Sequence, residues 1–334
     1  MKKYMKITKI VLFFTTLTIF IACKNDVKSQ DFILKGAVFG TTYKITYLNA
    51  KSNYQKSLDS LFLIINNSVS TYIPTSDISK VNRGESTVII DAIFTEVFQK
   101  SKKIHEETNG FFDPTVGNLV NAYGFGPERE KMNLTAGTIN EYMQFVGLDK
   151  VRLIGGQLMK THPKVYLDFN SIAKGFAIDV VARFFNEKNI ENYLIEIGGE
   201  IRAKGTKSND KPWIVKLVDP IKAEENEGFK VINLSDKSMA TSGNYRKYRI
   251  LDNGTKYVHT INPKTGFATE SNLLSVSVIA SIDCADVDAY ATAFMAMGLE
   301  KTKEFLEKNS ELEVILLFSD ADGDIKEYTN YRYK

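Results

Sequence analysis

The sequence predicts an α+β fold. Alternating apolar runs recur along the chain and crowd the stretch from Trp213 to Ala280. Helical stripes are interspersed among them and do not alternate one for one with the strands, as a doubly wound sheet would require. No repeat or low-complexity segment divides the chain.

Taken in order, Phe32 to Phe39 and Thr42 to Leu48 alternate around Gly40-Thr41 and predict a hairpin. Tyr54 to Val69 carries Leu58, Leu61, Phe62, Ile65 and Val69 on one helical stripe. Tyr72 to Gly84, with Pro74 and Gly84, reads as a loop. Asp91 to Thr108 reads as a helix capped by Asp91. Asn109 to Gly137 is long, irregular and rich in glycine, proline and aromatics, and a loop of that length inside a domain is usually functional. Thr138 to Val146 predicts a short helix, Val165 to Leu167 a short strand, and Ile172 to Asn189 a strong helix.

Tyr193 to Ile197 predicts a strand that stops at Gly198-Gly199. Strands are then expected at Trp213 to Val218, Phe229 to Leu234, Tyr245 to Leu251, Lys256 to Thr260 and Leu273 to Ala280. Helices follow at Asp286 to Met297 and Leu299 to Lys308, and Glu313 to Phe318 closes the chain as a strand before the turn Asp320 to Gly323.

The N-terminus has the layout of an export signal. Lys2, Lys3, Lys6 and Lys9 precede an apolar run, Ile10 to Ile21, that is too short to span a bilayer as a stable helix. The run ends Ala22-Cys23, and the chain then turns polar. A small residue before Cys at this place resembles a bacterial lipobox. The expectation is a signal peptide over residues 1–22, a lipid on Cys23, a tether over 23–31 and one domain over 32–334. Cys284, the other cysteine, then has no partner and reads as a small buried hydrophobe. The full chain of 334 residues carries a formal charge of +3, and four of its lysines lie in the signal. The remainder is near neutral, which gives no basis for nucleic-acid binding.

Four constellations could carry chemistry. Asp168-Phe169-Asn170-Ser171-Ile172-Ala173-Lys174-Gly175 joins a strand to a helix, where free amides and the helix dipole favour an anion. Equally, it could be a capped turn; it is not a P-loop. Asp288 and Thr292 share a helix face one turn apart and offer oxygen ligands to a hard cation such as Mg²⁺, although a capping Asp and a packed Thr would look the same. His259, before the turn Asn262-Pro263-Lys264-Thr265-Gly266, could be a general base or a structural histidine. The hydroxyls of Thr241-Ser242 stand near it in sequence. Phe111, Phe112 and Asp113, followed by Tyr123-Gly124-Phe125-Gly126, suit stacking on a planar ring or a loop packed on itself.

The ordered set is more specific than its parts. Phe39-Gly40-Thr41-Thr42, Ser70-Thr71-Tyr72 with Ser76-Asp77-Ile78-Ser79 and Asn82, and Phe112-Asp113-Pro114-Thr115 come first. Asp168 to Gly175, Glu196-Ile197-Gly198-Gly199, Thr241-Ser242-Gly243, His259 to Gly266 and Asp288 to Thr292 follow. In this order they resemble the ApbE family of FAD:protein FMN transferases, over nearly the whole chain beyond Phe32.

The resemblance implies two intertwined α/β subdomains with mostly antiparallel sheets and a cleft for FAD. It implies Mg²⁺-dependent transfer of FMN to a Thr or Ser hydroxyl of an acceptor protein, with AMP released. Carried over by position, Asp288, Thr292 and Ser171 would bind the metal. Phe39, Tyr72, Phe111, Phe112, Asp113, Asp168, Lys174 and Ile261 would lie at or beside flavin-nucleotide contacts. His259 and Asp288 would be the catalytic groups. Three positions depart from the pattern: Phe39 stands where the family often has Met, Asn262 replaces a usual Asp, and Ala291 stands where some members carry a second Asp.

The expected setting is the extracytoplasmic face of a bacterial membrane, with the acceptor a subunit of a membrane redox complex. Two other readings share the same residues: an FAD pyrophosphatase whose acceptor is water, and a non-catalytic flavin-binding lipoprotein. The chain lacks an acceptor-like Asp-Gly-x-Ser/Thr-x-x-Thr segment, which argues against its being the flavinylated partner.

Overall fold

A single sheet of eight strands forms the backbone of the molecule, and every hydrogen-bonded neighbour in it is antiparallel. The computed structural model describes residues 29–127, 134–207, 210–218, 228–243, 248–250, 256–258, 260–268 and 272–332. The expected signal, Cys23 and His259 lie outside them.

The elements are, in order, β1 (Gln30–Val38), β2 (Thr41–Ala50), α1 (Gln55–Val69), α2 (Asp77–Arg83), α3 (Ala92–Glu107), α4 (Gly117–Ala122), α5 (Ala136–Met143), β3 (Val151–Ile154), β4 (Gln157–Lys160), α6 (Ala173–Glu187), β5 (Tyr193–Ile197), β6 (Glu200–Lys204), β7 (Trp213–Val218), β8 (Gly228–Leu234), β9 (Ser238–Gly243), β10 (Tyr248–Ile250), β11 (Lys256–Val258), β12 (Leu273–Ala280), α7 (Cys284–Met297), α8 (Leu299–Leu306), β13 (Glu313–Ser319) and β14 (Ile325–Thr329). The main sheet runs β1-β2-β5-β6-β9-β12-β13-β14; among the described residues three antiparallel pairs (β3-β4, β7-β8 and β10-β11) are not hydrogen-bonded to it, and β7-β8 packs on it through Trp213, Val215 and Ile232. The α+β expectation therefore holds.

α6 packs on α7, and α7 lies on β9 and β12. All of α7 except Thr292 and Met297 is buried. A helix apolar on nearly every side belongs in a core, and its alanines let the sheet and α6 approach closely. α3 starts where its cap was expected: Asp91 Oδ1 accepts the Phe94 N–H at 2.7 Å. Cys284 is free and buried, as read from the sequence. Among the described residues no helix is long and apolar enough to cross a membrane.

Several expectations need correction. Tyr72 to Gly84 is not all loop, because Ser76 accepts the Ser79 N–H and starts α2, which Gly84 ends with φ 84°. Val165 to Leu167 forms no strand; Tyr166 makes one parallel bridge to Val116. The irregular stretch after Asn109 contains α4. The hairpin β3-β4, turning at Gly155-Gly156, and the strands β6, β9 and β14 were not foreseen.

Candidate active site

The loop from Asp168 to Gly175 is held in place by the short α2. Asn82 donates from Nδ2 to the Leu167 carbonyl (2.9 Å) and accepts the Leu167 N–H at Oδ1 (2.8 Å), so one amide side chain fixes the backbone just before Asp168. Asn170 Nδ2 reaches Thr71 Oγ1 at 3.4 Å. On the other side, Asp168 N–H donates to the Pro114 carbonyl (2.8 Å). This brings the Asp113-Pro114-Thr115 loop alongside. Asp168 itself accepts the Asn170 N–H (2.7 Å), and burial pushes its carboxyl up.

At the end of this loop α6 begins beside α7. Gly175 N–H donates to Asp288 Oδ2 at 3.2 Å. Lys174 Nζ lies 2.7 Å from Glu200 Oε1 and 3.9 Å from Asp288 Oδ2. The Lys174 stem passes over Gly198, where an added Cβ would come within 3.3 Å of Lys174 Cδ and 2.8 Å of Thr41 Cγ2. Gly198, with φ 67°, thus brings the Gly40-Thr41 turn, the end of β5 and Lys174 into one place. One turn beyond Asp288, Thr292 Oγ1 lies 3.5 Å from Ser242 Oγ on β9.

The electrostatics follow from burial. Asp288 is nearly inaccessible, and burial pushes its carboxyl up to about 7; Lys174 opposes the rise and Glu200 adds to it. For Lys174, burial alone would lower the ammonium, but the charges of Asp288 and Glu200 outweigh it and raise it. One Glu200 oxygen, Oε2, is buried with no hydrogen-bond partner. A buried carboxylate with hydroxyls one turn on suits a small divalent cation, whose charge would favour the ionised carboxylate. Asp288, Thr292 and Ser242 supply hard oxygen donors of the kind Mg²⁺ takes. Among the described residues no group of three or more His, Cys, Asp or Glu side chains is placed to hold a metal. A cation here would complete its shell from substrate phosphate and water, which is how Mg²⁺ usually binds.

The remaining expected residues form a second group. Asp113 accepts from Thr115 N–H (2.8 Å) and Oγ1 (2.6 Å); burial raises its carboxyl. His105 Nδ1 is 2.9 Å from the Phe112 carbonyl and 3.5 Å from Asp113 Oδ2. The Phe112 ring is buried in the main core, while Phe111 is half-buried with the Lys301 and Lys264 ammoniums 4.9 and 5.9 Å from its ring centre. Tyr72 is exposed, and its hydroxyl donates to the Phe125 carbonyl (3.3 Å). Ile261 packs in a small core with Leu119 and Tyr123, and Tyr123 donates to the Gly266 carbonyl (3.2 Å). Phe39 sits at φ 51° in the β1-β2 turn, edge-on to Phe62 at 5.7 Å.

Lys174, Asp288 and Thr292 therefore come together, joined by Ser242 and by Glu200. Ser171 lies in the loop just before α6, three residues ahead of Lys174, but its hydroxyl makes no hydrogen bond to Asp288 or Thr292. The free amides expected at the start of α6 are partly used within the protein: Ala173 N–H goes to the Phe169 carbonyl (2.8 Å) and Gly175 N–H to Asp288. Lys174 brings a positive charge to this end, paired with Glu200 and near Asp288. Sequence reasoning missed Glu200; its partner is on another element, and only its place directly after Gly198-Gly199 hinted at a role.

A family model described as the ApbE family matches residues 39–316. The FAD:protein FMN transferase of Haemophilus influenzae is 35% identical over 316 residues, covering 90% of each chain. Among solved structures, the flavin transferase ApbE from Vibrio cholerae superposes with a TM-score of 0.80 at 32% identity, covering 90% of this chain and 97% of that one. The apo flavinyl transferase ApbE of Pseudomonas stutzeri gives the same TM-score at 27% identity, covering 90% and 95%. The family match spans most of the chain and both residue groups just described, so the chain belongs to the ApbE family and is an enzyme.

Proposed function

We propose that this FAD:protein FMN transferase moves the FMN half of FAD to a Thr or Ser hydroxyl of an acceptor protein in a Mg²⁺-dependent reaction. The observation that carries the reading is the setting of Asp288: a buried carboxylate between the Lys174 ammonium and the Gly175 N–H, with the Thr292 hydroxyl one turn on.

In the balanced reaction, the acceptor oxygen bonds to the flavin-side phosphorus of FAD and the bond from that phosphorus to the bridging oxygen breaks. AMP leaves with that oxygen, and the acceptor's proton passes to a base. Phosphoryl-type transfer depends on positioning and charge neutralisation more than on covalent help. Mg²⁺, when bound, supplies that neutralisation at the pyrophosphate. Asp288 and Thr292 would hold it, with Ser171 assigned from its family position and Ser242 from its place beside Thr292. Lys174 would add positive charge at that end of the site. Asp113, Asp168, Phe39, Tyr72, Phe111 and Ile261 would bind the flavin nucleotide, and Phe112 would support that loop from the core. His259 is the assigned base, on its family motif.

The same proposal places the enzyme at a membrane. Residues 1–22 would direct export, and lipid on Cys23 would hold the domain over 32–334 on the extracytoplasmic side by a short tether. Its acceptor would be a subunit of a membrane redox complex. Tethering both to one surface raises their effective concentration.

The test is AMP release from FAD with and without Mg²⁺, in the native protein and in Asp288→Ala. The native protein should release AMP only with the cation, and the variant should release almost none. Undiminished release by the variant would remove Asp288 from the metal site.

A further inference from the structure

α7 begins with a cap that its own N-cap residue does not supply. Asp283 stands at the N-cap position, yet its carboxylate makes no capping hydrogen bond. It is drawn away to Arg202 Nη1 and Lys100 Nζ, each at 2.8 Å. Asp179, on α6, takes over. Its Oδ1 accepts the Cys284 N–H and its Oδ2 the Ala285 N–H, both at 2.9 Å. Arg202 also donates to Oδ1. The Asp179 side chain is completely buried. Buried carboxylates are costly unless paired and hydrogen-bonded, and this one has an Arg, two backbone donors and the positive end of a helix.

The same helix grips α7 a second time. Gly175 precedes Asp179 by one turn of α6, and its N–H donates to Asp288 Oδ2. The two helices touch backbone to backbone there, since a Cβ on Gly175 would lie 2.6 Å from the Cys284 carbonyl carbon. Asp288 is itself one turn beyond Cys284. The first turn of α7 and the Asp288 carboxylate are thus tied to α6 by three hydrogen bonds from two residues one turn apart on one helix face.

We infer that Asp179 is a positioning residue for Asp288: by capping α7 from α6, it sets where the Asp288 carboxylate stands relative to Lys174 and the start of α6. It touches no substrate. The inference rests on the cation role proposed for Asp288.

The test is Mg²⁺ binding to the full-length protein with FAD present, followed by calorimetry, alongside hydrogen exchange of a peptide spanning Cys284 to Asp288. In Asp179→Asn the amide turns an N–H toward a backbone donor or Arg202. The Mg²⁺ dissociation constant should rise about tenfold or more, as for other residues that orient metal ligands, and the α7 peptide should exchange faster. Cys284→Pro removes one capped N–H and its ring carbon displaces Asp179 Oδ1 from the helix start, at a first-turn position whose backbone accepts proline after a residue already extended at ψ 143°. It should shift both readouts the same way. Cys284→Ala removes the thiol and keeps the N–H, so it should lower the melting temperature and leave the Mg²⁺ constant alone.

A merely structural Asp179 would lower the melting temperature of Asp179→Asn with Mg²⁺ affinity and exchange unchanged, and that result would overturn the inference. If Asp179→Asn does not fold, Cys284→Pro decides on the same readouts. If the native protein binds no Mg²⁺, the cation reading itself fails. The positioning claim then stands or falls on whether faster exchange is accompanied by slower FMN transfer.

Discussion

Lys174 donates to Glu200 Oε1 at 2.7 Å, and this pairing joins the start of α6 to the start of β6 beside Asp288. The lysine is the cation shared by two buried carboxylates. Removing one partner of a buried ion pair costs about 3–5 kcal/mol, because the other charge stays buried and unpaired. Lys174→Met should lower unfolding stability by an amount of that order in urea titrations. Glu200→Gln keeps an acceptor oxygen for Lys174 and should cost less, about 1–3 kcal/mol.

Gly175 leaves no room for a side chain. Its Cβ would meet the Cys284 carbonyl carbon at 2.6 Å and the Ala285 nitrogen at 2.7 Å, both backbone atoms that cannot swing aside. Gly175→Ala should push α6 from α7, with a stability loss of about 1–3 kcal/mol. Transfer activity should fall by more than the unfolded fraction accounts for, because Asp288 moves with α7. Parallel melting curves and transfer rates test this.

The Asn82 amide holds Leu167 by two hydrogen bonds, so Asn82→Ala should loosen the loop that carries Asp168. Each freed backbone group left buried costs about 1–3 kcal/mol. If Asp168 binds the nucleotide, KM for FAD should rise several-fold with a smaller change in kcat. Steady-state kinetics at saturating Mg²⁺ separate the two.

Asp283, held by Lys100 and Arg202 at the start of α7, should show an acid signature. Burial would raise the Asp283 carboxyl, but hydrogen bonds from Lys100 and Arg202 and their charges outweigh it and hold it at about 2, below its ordinary 3.8. Between those values the folded protein binds fewer protons than the unfolded chain, so stability falls as pH falls through that window. Lys100→Met weakens this effect. Its melting temperature should lie below that of the native protein above about pH 4, and the gap should narrow toward pH 2.

Much of the fold was legible where a local rule acts alone. Asp91 capped α3 as read, and the runs at Tyr193–Ile197, Trp213–Val218 and Leu273–Ala280 became strands with the expected bounds. α2 was hidden because its seven residues, between Pro74 and Gly84, hold too little periodicity to stand out from a loop. The Gly155-Gly156 turn was available as a hairpin signal, but its strands are only four residues each.

Asp288, Thr292 and Lys174, which the structure brings together, were legible because each lies in a recognisable motif. Glu200 and Asp179 were not, because their meaning lies in partners on other elements; Asp179 and Cys284 are 105 residues apart. Such a cap leaves no pattern in the sequence, since both residues look like ordinary helix positions.

The proposed reaction is FMN transfer to a protein hydroxyl. Its most direct test is the intact mass of a candidate acceptor after incubation with the protein, FAD and Mg²⁺. The acceptor should gain one FMN through a phosphoester on a single Thr or Ser, with AMP formed in equal amount and both lost in Asp288→Ala. An acceptor of unchanged mass while AMP and free FMN accumulate would contradict it and mark the enzyme as a hydrolase of FAD.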